Sequence, residues 1–580
     1  MKSKTWHRVY EMAKPHKKTI FIVVFLSLLI SIGEMIKPYL IKIVIDDYLS
    51  MGIYQKGIVT IGMIGAIYIA IVLIGNIIDF IASTATNMMG EDIIYTMRNR
   101  LFKYTQNANI SFHDRTPAGK LFVRITNDVE DVSTLFKDVL TTFFKDVILI
   151  VVIVAIMCYF STTLSMLSFI VIPFIVVISI VLTRMLNKIY DKSKKIRTEL
   201  NTFLAESIYG AKLIKIFNIQ KEKQAECEKL NNDYRNSRLP GGIIEGLLPA
   251  IITIAENVAV AIIIWACVYH WFGISLEVGL IYVFTTYIKQ LFEPITRIID
   301  NIEVVQEAFV SINKIYDILD HKEYLENLED GMILKEEKGK IEFKNVWFSY
   351  NNKDWVLKNV SFTIEPGQSA ALVGKTGCGK TTITNLINRF YEIQQGEILL
   401  DGVNIKNINK RSLRQHIGII LQDPFIFART IKDNIKLNAN ISDEEVQESV
   451  KLSSAEEFVS SLPNGIEEVA KERGVSFSAG QKQLLAFARI FAHNPSIFVL
   501  DEATANIDTH TEALIQKSID IISKKKTSIF IAHRLATIVN VDKIIVLNAG
   551  EIVEMGNHLE LLKTGGYYSK LYNAYYASLQ

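Results

Sequence analysis

Hydrophobic residues follow two regimes along this chain. Over the first 300 positions they form runs of about 20 residues or more, long enough to cross a bilayer. Beyond about residue 320 they form short β-branched runs that alternate with helical periodicity. The first regime predicts six membrane-spanning helices at approximately 19–48, 57–81, 139–160, 164–186, 243–269 and 273–293. The third and fourth are separated only by Ser161, Thr162 and Thr163, and no charge falls between Val147 and Leu182. A soluble core helix has no reason to be apolar all round for so long. The second regime predicts an α/β domain with a mostly parallel sheet. The expected architecture is a polytopic α-helical membrane domain (1–320), a Lys- and Glu-rich linker (321–339) and an α/β domain (340–580).

The connections orient the spans. Lys2, Lys4, Arg8, Lys14, Lys17 and Lys18 precede the first span, and further Lys and Arg cluster at 97–103 and 188–197. The intervening outer loops are short and nearly uncharged, so the positive-inside rule puts both termini and the α/β domain in the cytoplasm. The first span is too long for a signal peptide and runs into Glu34. The connections at 82–138 and 187–242 are long yet read as helix. At about 1.5 Å per residue such legs reach about 40 Å below the membrane. Breakers mark their tips, at 114–119 and at Tyr209-Gly210.

Composition narrows the class. The chain has 580 residues, 49% hydrophobic and 21% charged, which excludes a disordered or fibrous protein. Lys+Arg number 63 against 61 Asp+Glu, so the net charge of +2 points to no nucleic-acid partner. Four cysteines without metal-like spacing suit a reducing compartment or membrane burial.

The chemistry lies in the second domain. An apolar strand at 370–373 is followed by Gly374, Lys375, Thr376, Gly377, Cys378, Gly379, Lys380, Thr381 and Thr382, then a helical pattern. This is G-x-x-x-x-G-K-[ST] in its strand–loop–helix context, whose backbone N–H groups close round phosphates. Lys380 would reach the β- and γ-phosphates of ATP and Thr381 would bind Mg²⁺. A second strand ends in Asp501 and Glu502. Asp501 suits Mg²⁺, and Glu502 is placed to act as general base on the attacking water. His533 closes another strand, where ligand sites of such sheets gather. Gln422 follows a strand and could sense Mg²⁺ or water, or be an ordinary turn residue. Tyr350 could stack on adenine, or simply pack. Ser478, Gly480 and Gln481 open a helix and offer donors to an anion. The chain's own P-loop already cradles one nucleotide's phosphates, so these donors need another nucleotide to serve.

With these motifs the chain resembles an ATP-binding cassette transporter of the exporter type, a half-transporter with its membrane domain ahead of its ATPase domain. The resemblance rests on Walker A at 374–382, Gln422 of the Q-loop, Glu472-Arg473-Gly474, the signature at 478–481, Walker B with Asp501 and Glu502, the D-loop at 506–508 and the switch His533. Residues 112–119, with 124–128 after them, resemble the family's first coupling loop. It implies a dimer in which each ATP lies between one P-loop and the other subunit's signature, and stalk tips that carry ATPase closure to the spans. It implies export of hydrophobic or amphiphilic compounds across the bacterial cytoplasmic membrane; a peptide exporter, an importer on this fold, or a channel or regulatory subunit are the alternatives. Phe477 and Ala479 replace the leucine and first glycine of the usual Leu-Ser-Gly-Gly-Gln, and Ala505-Asn506-Ile507-Asp508 departs from the common Ser-Ala-Leu-Asp. With Walker motifs, Glu502 and His533 intact, this resembles one subunit of the heterodimeric multidrug exporters, the alternative being a homodimer.

Two acids sit deep in apolar runs, Glu34 and Glu256. Each must face a cavity or a partner, since a charge at the bilayer centre costs roughly 2.5–3.5 kcal/mol. Lys37 lies one turn from Glu34 and offers a structural pair; a free glutamate would favour a cationic amphiphile.

Overall fold

The computed structural model describes residues 2–49, 54–269, 278–321, 324–334, 338–501, 507–531 and 538–577. The chain forms two compact units. One comprises Met1–Gln106 with Ala118–Lys322, the other Asn107–Pro117 with Glu323–Gln580. Unlike the contiguous division expected, the 107–117 tip of the first stalk belongs with the second unit, as does most of the stretch expected to be a separate linker.

The first unit is helical throughout. Among the described residues five stretches are long and apolar enough to cross a membrane: Lys4–Tyr48, Val59–Asn107, Ala118–Phe160, Thr162–Tyr209 and Gln220–Val268. The sixth expected span begins outside the described residues and continues as helix Val278–Leu319. Lys289, Gln290, Glu293 and Arg297 interrupt its apolar character, and so it does not join the five. Ser161 ends one helix and N-caps the next, accepting from the Leu164 N–H at 3.3 Å, which fixes the predicted break between the third and fourth spans. Both long connections are helical continuations of their spans, as expected.

The unit is apolar outside and partly polar inside. Phe21, Phe25, Leu73, Phe80 and Phe174 are exposed, whereas Ser27, Ser31, Ser165, Ser168 and Ser179 are buried. Small residues let helices approach closely where lipid removes any hydrophobic drive to associate. Specific polar ties then set the packing. The Tyr287 hydroxyl donates to the Met35 carbonyl at 2.7 Å, and the Arg8 guanidinium meets Asp320 at 2.6 Å. Asp146 on helix Thr141–Phe160 is fully buried and takes a forked pair of bonds from Arg297 on Val278–Leu319, the shortest 2.7 Å.

The second unit holds two sheets. One is antiparallel, in the order β2 (Leu357–Ile364), β1 (Ile341–Phe348), β4 (Gln395–Leu400), β5 (Val403–Asn404). The other has six strands, ordered β10 (Glu551–Gly556), β9 (Lys543–Asn548), β3 (Ser369–Val373), β8 (Thr527–Ile531), β7 (Ile497–Asp501), β6 (Ile417–Ile420). All its pairings are parallel except β10 with β9. The central strands are buried on both faces, which is why they read as continuous apolar runs.

The tip residues 107–117 are built into this unit by the chain expected to be a linker. Ala108 bridges Leu325, the Asn109 N–H donates to the Tyr324 carbonyl at 2.7 Å, and the Glu326 N–H donates to the Asn107 carbonyl at 2.8 Å. Phe112 packs on Tyr324 with ring centroids 5.6 Å apart. Burial would raise the Glu326 carboxyl, but bonds from Arg414 at 2.8 Å and Lys410 at 3.3 Å outweigh it and hold the group below its usual range.

Removing Arg297 strands the Asp146 carboxylate in the protein interior. Arg297→Met is expected to destabilise the first unit by about 3–5 kcal/mol, and Asp146→Leu in the same chain to restore most of it. Thermal unfolding of the purified protein in detergent measures both.

Candidate functional site

The parallel register gathers the motifs at one edge of the six-stranded sheet. Leu372 pairs with Ile531, Ile531 with Asp501, and Leu500 with Ile420. The carboxyl ends of β3, β8, β7 and β6 therefore lie side by side, each feeding one motif, as ligand sites of open parallel sheets require.

From β3 the chain turns through 374–379 into helix Lys380–Ile387. Gly377 and Gly379 have φ of 83° and 107°, a backbone region glycine alone enters freely. A side chain at Gly379 would also lie 2.6 Å from Leu357. Lys375, Thr376 and Gly377 are exposed on the loop, while Cys378 is buried beneath it. Lys380 is buried; its ammonium donates to the Gly374 and Lys375 carbonyls at 2.7 and 3.1 Å and so lies inside the loop's curl. Thr381 is exposed at the first helical turn. Thr382 is buried, with its hydroxyl 3.1 Å from that of Tyr350. Tyr350 is thus moored beside the P-loop helix while its ring remains exposed.

Tyr350 also packs edge-on against Tyr391 at 4.9 Å, and the Tyr391 hydroxyl donates to Asp114 of the tip segment. Burial, then the Asp114 carboxylate, push the Tyr391 hydroxyl well above its ordinary value, so it stays a donor. A cavity of about 470 Å³ opens between Ser111, Asp114, Tyr350 and Tyr391. Gln422 follows β6 with its side chain exposed. Its carbonyl accepts from Gln483 at 3.4 Å, which ties the loop to helix Ala479–His493. Asp501 ends β7 half-buried. Glu502 and His533 lie outside the described residues, as does Asn506.

Known proteins share both parts of this chain. Residues 20–295 match the ABC transporter transmembrane region, and residues 357–505 match the ABC transporter family. The chain is 34% identical to a putative ABC transporter ATP-binding protein of Streptococcus pneumoniae, over 98% of this chain and 96% of that one. It belongs to the ABC transporters. It is also 38% identical to a probable multidrug resistance ABC transporter ATP-binding/permease protein of Bacillus subtilis, over 84% of this chain and 72% of that one. Among solved structures it resembles a bacterial Atm1-family ABC exporter with ATP bound, with a TM-score of 0.77 and 25% identity over 97% and 98% of the two chains. The chain is therefore a membrane-spanning ABC exporter whose cytoplasmic domain binds ATP and couples its hydrolysis to transport.

In this ABC transporter the signature is first of all a helix start. Ser478 and Gln481 form a reciprocal capping box, the Ser478 hydroxyl accepting from the Gln481 N–H at 3.2 Å and the Gln481 side chain from the Ser478 N–H at 2.9 Å. Gly480 is buried, and a side chain there would lie 2.4 Å from the Thr511 methyl. Phe477 is a core residue packed edge-on against Phe458 at 5.4 Å. Its departure from the usual leucine therefore changes packing, whereas Ala479 stands exposed at the helix start beside Ser478. Asp508 of the D-loop accepts from the Thr511 N–H at 2.9 Å; this bond lowers its carboxyl and makes it the N-cap of helix Thr509–Ser523.

Sequence reasoning missed two residues here. Gln483 is buried in the signature helix. Arg489 donates to the Phe425 carbonyl at 2.8 Å and the Asn434 carbonyl at 2.6 Å, pinning the chain after the Q-loop. Burial lowers the Arg489 guanidinium to about 10, which leaves it charged at neutral pH. Neither falls in a motif, and only the oddity of a polar residue on a core-facing helix stripe could have flagged them.

Gly480→Ala is expected to cost about 1–3 kcal/mol by overpacking. Thr511→Ser, which removes the opposing methyl, should recover part of that loss; the unfolding temperature of the ATPase domain within the full chain reports it.

Proposed function

We propose that this chain is one subunit of a dimeric exporter that uses ATP hydrolysis to move hydrophobic or amphiphilic compounds, multidrug or lipid-like, out of the cell by alternating access. The observation that carries the reading is the side-by-side placement of the P-loop, Asp501 and the Q-loop strand at one sheet edge. Lys380 binds the β- and γ-phosphates from within the loop, Tyr350 stacks on adenine, and Glu502 takes the proton from the attacking water while His533 and Gln422 position the γ-phosphate. Thr381, Asp501 and Gln422 form an oxygen donor set suited to a hard cation and would hold Mg²⁺, which neutralises charge on the phosphate oxygens. Relatives named for multidrug export support the substrate class.

Two exposed apolar surfaces support a second subunit. Tyr209 is 91% exposed at the second stalk tip, and Ile208, Leu213, Ile216 and Phe217 are exposed beside it. On the ATPase domain Phe425 and Phe427 stand exposed with ring centroids 5.0 Å apart. Contiguous apolar groups of this kind mark association sites, and a partner's tip and ATPase face would cover them reciprocally. Ala479 favours a different partner chain that supplies an intact signature to this chain's P-loop, with the degenerate site opposite.

Glu502→Gln is expected to keep ATP binding and lower hydrolysis by roughly 10²–10⁴-fold, whereas Lys380→Ala weakens binding itself. In inverted vesicles ATP should drive accumulation of a fluorescent amphiphile; ATP-dependent release would refute export. Expressed alone, the chain should show little substrate-stimulated turnover, and a brisk homodimeric ATPase would rule out the two-chain assembly.

A further inference from the structure

The two membrane glutamates are both paired. Glu34 meets Lys37 at 2.6 Å on helix Lys17–Ile43, and Glu256 on Gln220–Val268 meets Lys289 on Val278–Leu319 at 3.8 Å. The pairs lie at one depth. The Tyr287–Met35 bond sets residues beside Glu34 level with residues beside Lys289. The Gly279 N–H donates to Asp46 at 2.8 Å near the outer end of the same two helices. From Gly279 to Lys289 is about 15 Å along the helix, and from Asp46 to Glu34 about 18 Å, near the middle of a bilayer core of about 30 Å.

The pairs open in opposite senses. In the first the carboxylate is the open member, 40% exposed against 20% for Lys37; in the second it is the ammonium, 59% exposed against 22% for Glu256. Hydrocarbon cannot solvate either open charge, so each requires water or a polar group beside it. Beside Lys289, Oε1 of Gln290 is buried without a hydrogen-bond partner among the described residues, a further acceptor at this depth. With both glutamates neutralised, the site has no net preference for a cation.

We propose that these pairs form a head-group site for a zwitterionic amphiphile, with Lys289 receiving the anionic group and Glu34 the ammonium group. The proposal rests on the export reading above and specifies its substrate class. Each pair supplies one accessible charge and one recessed counter-charge, so a dipolar head satisfies both open groups, whereas a singly charged head leaves one unmatched and desolvated.

The test uses the full transporter with its partner, in inverted vesicles, and three fluorescent amphiphiles of equal chain length: a lysophosphatidylcholine, an alkyl trimethylammonium and an alkyl sulfate. The wild type is expected to accumulate the zwitterion about tenfold faster than either ion. Lys289→Gln, which leaves Glu256 unpaired, should move the preference to the cation; Glu34→Gln, which leaves Lys37 unpaired, should move it to the anion. Lys289→Arg should keep the wild-type order. Should Lys289→Gln not fold, Glu34→Gln decides alone. Transport with unchanged charge preference in the variants overturns the proposal and makes the pairs structural or intersubunit ties. A wild type that hydrolyses ATP yet accumulates none of the three amphiphiles refutes the export reading itself.

Discussion

The structure turns on a short antiparallel bridge. Residues 107–117 leave a helix that has run unbroken from Tyr54, yet their partners are Tyr324, Leu325 and Glu326, the first residues past the membrane domain. Two backbone bonds and a buried carboxylate held by Arg414 and Lys410 tie the stalk tip to the ATPase fold. These bonds form a joint between the stalk tip and the ATPase fold. The same joint brings Asp114 to Tyr391 and, through Tyr391, to Tyr350 beside the P-loop helix.

Each unit solves its own solvation problem, and the solutions differ. The ATPase domain buries apolar strands on both faces and brings its chemistry to their carboxyl ends. The membrane domain leaves many large apolar side chains on its outer surface, packs others such as Phe284 and Tyr287 inside, and buries serines and the Asp146 carboxylate among them. Asp146 with Arg297 and Glu256 with Lys289 both join neighbouring helices; in each the cation is the more open member, and only the Asp146 carboxylate is fully buried.

Much of this was legible in the sequence. Runs of span length, the Walker A loop in its strand–loop–helix setting and the acidic strand end all depend on local periodicity and spacing, which a chain displays directly. Three things were not. That the 107–117 tip belongs with the ATPase unit depends on pairing across more than 200 residues, which no local pattern encodes. Lys289 as the partner of Glu256 requires knowing which helix faces pack. Phe477 looked like a change at the phosphate-facing signature because it is adjacent in sequence to Ser478, whereas its ring points into the core against Phe458. The sixth span was legible as an apolar stretch, but Lys289 and Arg297 on Val278–Leu319 make sense only beside Glu256 and Asp146.

Beyond the backbone bridge, the Tyr391 hydroxyl is the side-chain link that connects Asp114 of the stalk tip to Tyr350 beside the P-loop helix. The direct measurement is the number of substrate molecules transported per ATP hydrolysed in Tyr391→Phe, which removes that hydroxyl and keeps the ring. Hydrolysis is expected to continue while transport per ATP falls several-fold, because a hydrogen bond to a charged group is lost, worth about 1.5–3 kcal/mol at the joint. Transport per ATP equal to that of the wild type would contradict it.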